Sequence, residues 1–499
     1  MRTALVVAIL GAAGSAHADA GVGSGVVLSL GFDGASGTQA GPPDVGGGAL
    51  SDGQVIDVVS GLVAVRDETG HLLTSWTSDA FWNAAGVAGT PNAVAQHAVF
   101  NALNQRWYVS AEQATTGTPN QIYLAVSASY DATGPWKAVT LPPQASPIRD
   151  THLAVDACGV YLTGDTSAGG VVLALPLADL QWTAPDAPTA AHLNVLPTAR
   201  GGVVPAIDAW NQIASDARMF VGRDVTASGT TAIDVYRLSW TGSLCTATGP
   251  AQIGSPSTVD LGVAYALPGR AAVQPSPAPG LQAGSGALAN ADSRSGTIVG
   301  IATTEIGGQL GAVWFQIYAD PSTPGIGPDL LQSGTLVDPS ADLLVPAIAT
   351  ATNGFGIVYV RTSSQDPPSI YVTAQATGDP PGTLREPVLA RAGAATYSCA
   401  ATAGVSAFGR YSSIVGTATG FWAVAQLGAS ATECAFATAW VNFDVIPNPS
   451  GGDPGPVADD SWNADHPPQH AGCGGCSSSG DPGGVLVLLA IVACTRRRT

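Results

Sequence analysis

Short runs of alternating apolar and polar residues recur along the chain, and Gly, Pro or Asp interrupts each one before a helical period can develop. Trp107 and Val109, then Ile122, Leu124 and Val126, carry the period of two that marks a half-buried strand. Residues 98–165 read as strands joined by tight polar turns, among them Ser129-Tyr130-Asp131-Ala132-Thr133-Gly134-Pro135-Trp136. In that turn the Asp131 carboxylate is expected to cap backbone N–H groups, Gly134 to take a positive φ and Trp136 to pack beneath. Further strands are predicted at 55–65, 71–76, 159–163, 171–175, 218–221, 232–240, 297–303, 312–318, 344–349, 356–360, 369–376, 411–415, 421–427 and 436–443. Residues 26–32 form a lone strand in an otherwise Gly-rich, poorly patterned segment, placed where an N-terminal strand could complete the last unit of a ring.

Each predicted unit holds three or four strands over roughly 50 to 65 residues, and no helical layer is available to cover them. Exposed sheet edges of this kind invite aggregation, and radial closure protects them. The fold class expected is therefore all-β: a single β-propeller over residues 55–445, with seven blades favoured and six as the alternative. Gly (62) and Pro (36) make up about a fifth of the 499 residues, which suits many short strands.

Charge narrows the partners. The chain carries a net charge of −18 with Lys137 as its only lysine, and its body is more acidic still once both ends are set aside. Such a surface repels phosphate backbones, so nucleic-acid binding is excluded. Acidity here reads as a solvated extracellular surface. Ca²⁺ on Asp clusters is the sharper alternative, although no Asp-x-Asp-x-Asp-Gly loop supports it, and no cofactor is expected.

The two ends supply an address. Arg2 followed by an apolar run over 5–14, with Ala-x-Ala at Ala16-His17-Ala18 and Ala18-Asp19-Ala20, reads as a signal peptide over 1–20 cut by signal peptidase. Residues 21–54 are set apart as a Gly-rich segment. Residues 446–472 are rich in Pro, Gly and Asp and read as a disordered stalk. Beyond it lie Cys473 and Cys476, an apolar run over 485–493 and the cluster Arg496-Arg497-Arg498. A run of about ten apolar residues is half of the roughly twenty that span a bilayer, which suits transient insertion with a positive-inside flank.

That order of Cys motif, short hydrophobic helix and Arg cluster resembles the MYXO-CTERM sorting tail of myxobacterial surface proteins. The resemblance implies cleavage near Cys473 and Cys476 by a sortase-like intramembrane protease, and residence at the outer membrane, the cell surface or outside. A second resemblance covers residues 50–443. The turn 129–136 is similar to the Asp-box of sialidase-type propellers, with the Gly displaced by one place. Arg106-Trp107-Tyr108-Val109-Ser110, Gly159-Val160-Tyr161, Pro368-Ser369-Ile370-Tyr371 and Phe421-Trp422 occur in the order seen in secreted bacterial β-propeller proteins that are distantly sialidase-like. Where many of those read Trp-Gly-Asp-Tyr-Ser, this chain reads Phe408-Gly409-Arg410-Tyr411-Ser412, a cation in place of an anion.

Candidate chemistry is sparse. An even number of cysteines in an exported body favours disulfides, with Cys399–Cys434 the first candidate and Cys158 and Cys245 open between bridged and buried-free. His71, His97, His152 and His192 are scattered singly, without metal-site spacing. Asp150-Thr151-His152 stands where an inner strand begins, so His152 is a candidate axial residue beside Arg410, with a capped turn as the competing reading. Arg66, Arg149, Arg200, Arg223, Arg270, Arg361 and Arg410 could in principle gather at a propeller axis, but none of the few glutamates stands beside a Tyr in a telling motif. The expectation is a binding or interaction module for an extracellular glycan or protein. A sialidase-like glycoside hydrolase and a structural surface-layer component are the alternatives.

Overall fold

The computed structural model describes residues 25–446, interrupted by short stretches such as 210–216 and 242–249. The signal-peptide residues Ala18 and Ala20, Cys245, and the tail residues Cys473, Cys476, Arg496, Arg497 and Arg498 lie outside the described residues.

Seven antiparallel sheets form seven blades, each ordered from an inner to an outer strand. The inner strands are Gly48–Ala49, Ala93–Asn101, Arg149–Val155, Val204–Ala206, Leu288–Arg294, Asp342–Ala351 and Ser413–Gly416. Every inner strand touches the next, and the last touches the first, so the ring is closed. Strand Val26–Thr38 supplies the outer strand of the last blade, paired antiparallel with Ala435–Val445 from Val26↔Val445 to Thr38↔Ala435. The propeller thus takes in strands from within the segment 21–54 that the sequence pattern set apart. Both ends of the ring meet in one sheet, which removes the open edge.

Two details differ from the expectations, and one short helix adds to them. The run 55–65 is two strands, Gln54–Val59 and Leu62–Asp67, because Gly61 at φ 91° turns the chain between them. Phe81 and Trp82 belong to a short helix, Ser78–Ala84, capped by Thr77 through Ala80 N at 3.3 Å. Gly134 does not take a positive φ. The Asp131 turn is held instead by the carboxylate, which accepts from Thr133 N at 2.9 Å and Thr133 Oγ1 at 2.8 Å, and by Gly134 N donating to Asp131 O at 3.2 Å. The same Asp-x-Ser/Thr device recurs at Asp67/Thr69, Asp320/Ser322 and Asp338/Ser340.

The cores lie between blades. Trp82, Trp107, Trp314 and Trp440 are buried there, and Trp136 packs at 5.2 Å from Phe81 as expected of the residue beneath the turn. Side-chain amides stitch neighbouring blades together: Asn120 exchanges two hydrogen bonds with the Ile148 backbone, and Asn290 does the same with Ile348. Glycines in 46–48 are required by this closeness. A Cβ on Gly46 would stand 1.9 Å from Gln96 O, and one on Gly48 2.7 Å from Ala98 O.

Of the cysteines, Cys399 and Cys434 form the disulfide expected. Cys158 is disulfide-bonded as well.

Candidate functional site

A channel runs along the axis, a cavity of about 210 Å³ lined by the inner strands, and a second cavity of about 270 Å³ adjoins it at one mouth. His152 and Tyr411 line both.

The side chains reach this mouth through a repeated backbone device. The inner strand of blade two carries a bulge between Val94 and His97, with Ala95 at φ 48°. That of blade three carries one between Arg149 and His152, with Asp150 at φ 53°. Blade six repeats it between Leu344 and Ala347, where Val345 sits at φ 42°. A β-branched residue in the left-handed region is costly, and such conformations persist where the surroundings impose them. In each case the residue two places on re-enters the ladder, and in blades two and three that residue is a histidine lining the channel.

His97 and His152 therefore meet, their ring centroids 5.4 Å apart, although the sequence scatters them. Tyr411, from the segment leading into the last blade, stands edge-on to both rings at 4.7 and 5.3 Å. Burial lowers both histidines, His97 well below its ordinary value and His152 to about 4, and the Arg410 charge acts in the same direction. Both imidazoles are neutral at physiological pH.

Arg410 is at the mouth, as the sequence suggested, but its charge is spoken for. Nη2 lies 2.7 Å from Asp44 Oδ2, and Nη1 pairs with Asp150. Behind it, Glu112 is buried and accepts from Thr151 N at 2.8 Å and Thr151 Oγ1 at 3.0 Å. Burial pushes its carboxyl up to about 7, against the pull of the Thr151 hydrogen bond. His152 and Arg410 are thus brought together with their sequence neighbours Asp150 and Tyr411, and His97, Asp44 and Glu112 join them unannounced by any motif.

Of the other candidate arginines, Arg149 lines a cavity with Glu112 and Arg410, and the rest are held elsewhere. Arg200 pairs with Asp234 at 2.7 Å, Arg361 with Asp338 at 2.8 Å, and Arg270 with Asp342. Arg66 donates to Gly34 O and Gly70 O, and Arg223 to Gly286 O. His71 sits on an exposed turn near Asp67, and His192 Nδ1 lies 2.9 Å from Asp179 Oδ1. Among the described residues no group of three His, Cys, Asp or Glu side chains is placed to hold a metal ion.

No family model matches the chain, and no curated protein matches it. Solved structures with the same kind of architecture do. The polysaccharide lyase Uly1 aligns with a TM-score of 0.41 at 8% identity, over 82% of this chain and 91% of that one. Hsv2 of Kluyveromyces lactis gives a TM-score of 0.35 at 10% identity, over 81% and 99%. An exo-β-1,3-galactanase of Phanerochaete chrysosporium gives 0.30 at 10% identity, over 85% and 97%. None of these likenesses carries a residue, a ligand or a reaction over to this chain.

Proposed function

We propose that this protein is an exported binding module, held at the cell surface by its processed tail, which takes an extracellular glycan at the mouth of its axial channel. The observation that carries this reading is the rim itself. Arg410 and Asp150 keep 39% and 49% of their side chains exposed at the mouth, above the buried ring of Tyr411. Planar, partly exposed charged groups at the mouth of a cavity suit pairs of sugar hydroxyls.

Glycoside cleavage asks for two carboxyl groups flanking the bond, one free to give a proton and one free to attack or activate water. At this mouth Asp44 and Asp150 share one guanidinium, and Glu112 is closed over by Thr151. Binding without turnover is what this arrangement supports.

The test is a glycan array with the full chain, followed by calorimetry on the best ligand. Asp150→Ala should weaken binding at least about tenfold with little change in melting temperature, whereas Tyr411→Ala should weaken it at a cost in melting temperature because its ring is buried. Release of new reducing ends from any bound glycan would overturn the reading in favour of hydrolysis. Cell fractionation tests the address: the Cys473→Ala chain should lose its surface retention, and unchanged retention would remove the tail from the proposal.

A further inference from the structure

We propose that His97 and His152 form a two-imidazole site for a divalent transition-metal ion, open toward the axial channel. Four observations converge on it. The two residues occupy the same place after the same bulge in adjacent blades, two positions beyond Ala95 and Asp150, so both rings arrive at one level of the axis.

Their spacing fits a shared metal. With ring nitrogens about 2.0–2.1 Å from the ion, two imidazoles at a tetrahedral angle hold their centroids about 5 Å apart. The observed separation is 5.4 Å.

One nitrogen of His97 is unspent. Nε2 is buried with no hydrogen-bond partner. Such an orphaned polar atom costs stability, and ligation of a metal through Nε2 would satisfy it.

The electrostatic surroundings permit a cation. Arg410 is the nearest positive group, and Asp44 and Asp150 pair with it, with Glu112 behind. Tyr411 packs edge-on against both rings and fixes their orientation. No third His, Cys, Asp or Glu converges there among the described residues, so water or a channel ligand would complete the coordination. Imidazole donors favour Cu²⁺, Ni²⁺ and Zn²⁺ over Ca²⁺ or Mg²⁺, with Cu²⁺ the tightest.

The experiment uses the full chain with Cys473, Cys476 and Cys494 replaced by serine, so that tail thiols do not compete, stripped of metal and titrated with CuCl₂. One equivalent should bind per chain, and its electron paramagnetic resonance spectrum should show coupling to two imidazole nitrogens. His97→Gln and His152→Gln should each weaken that equivalent at least about tenfold. Replacing His71, His192, His466 and His470 together should leave it unchanged. Absence of a stoichiometric equivalent overturns the proposal, as does an equivalent that survives both glutamine variants and vanishes with the other four. Should either glutamine variant fail to fold, the unmutated spectrum decides: fewer than two coupled imidazoles rejects the site.

Discussion

Arg410 Nη2 lies 2.7 Å from Asp44 Oδ2 across 366 residues of sequence, and the same guanidinium pairs with Asp150. One side chain thus joins the segment before the last blade's inner strand to the segment leading into the first and to the inner strand of the third. The Asp44 side chain is only 5% exposed, so it depends on this partner. Arg410→Leu should lower unfolding free energy by about 1–2 kcal/mol, less than for a fully buried pair because the arginine itself is partly solvated. Arg410→Lys should recover less than half of that, since a point charge cannot serve both carboxylates as a fork does. Urea unfolding of the three proteins measures both effects, and equal stability of Arg410→Leu and the parent would show the joint to be idle.

A second ion pair lies deeper. Arg218 Nε pairs with Asp156, and both side chains are 1% exposed. The Asp156 Oδ1 atom also accepts from Cys158 N at 2.7 Å and Gly159 N at 2.9 Å, so the carboxylate organises a turn as well as a charge. Asp156→Ala removes the carboxylate that faces a buried guanidinium and takes the acceptor from two N–H groups. The expected loss is about 3–5 kcal/mol, read as a fall in urea midpoint with little change in slope.

The Cys399–Cys434 bridge closes a loop of 35 residues beside the last blade. Removing a cross-link of that length from the unfolded chain should cost about 3–4 kcal/mol. The Cys399→Ala/Cys434→Ala double variant tests this directly, since it leaves the bond at Cys158 intact. A melting temperature within a degree of the parent would contradict the expectation.

How much of this could be read from the letters follows from range. The propeller was legible because strand period and turn chemistry are local: Trp107/Val109 alternate, and Asp131 caps Thr133 two residues on. The closing strand was visible as a lone apolar run at 26–32 in a Gly-rich segment. The role of Gly46, Gly47 and Gly48 was not, since their need for no side chain comes from Gln96 and Ala98 in the next blade. The helix at Ser78–Ala84 is too short to display a period. The site was legible only at His152 and Arg410. His97 stands 55 residues before His152, and nothing local to either reveals the shared bulge that brings them together; a positive φ at Ala95 is invisible in an alanine.

The titratable groups at the mouth make opposite demands on pH, and their signs can be separated. Glu112 is raised from 4.5 to about 7 by burial, so the folded state holds a proton that the unfolded state has released between those values. Its contribution is fully present below pH 4.5 and is lost as pH rises through 7, up to about 3 kcal/mol in all. His152 is depressed from 6.5 to about 4 by burial, so between those values the unfolded state binds the extra proton and stability falls as pH falls. His97 is depressed by burial as well and acts in the same sense. Between pH 6.5 and 4.5 the histidines therefore oppose the glutamate, and Glu112 and His152 contribute about 1.4 kcal/mol per pH unit each, with opposite signs. Glu112→Gln should be more stable than the parent at pH 8 and should lose stability more steeply on acidification, because the compensating uptake of a proton by Glu112 has gone. His152→Gln should do the reverse and flatten the acid limb. Urea unfolding from pH 4.5 to 8 in the three proteins measures these slopes, and parallel curves for Glu112→Gln and the parent would mean that the carboxyl titrates normally.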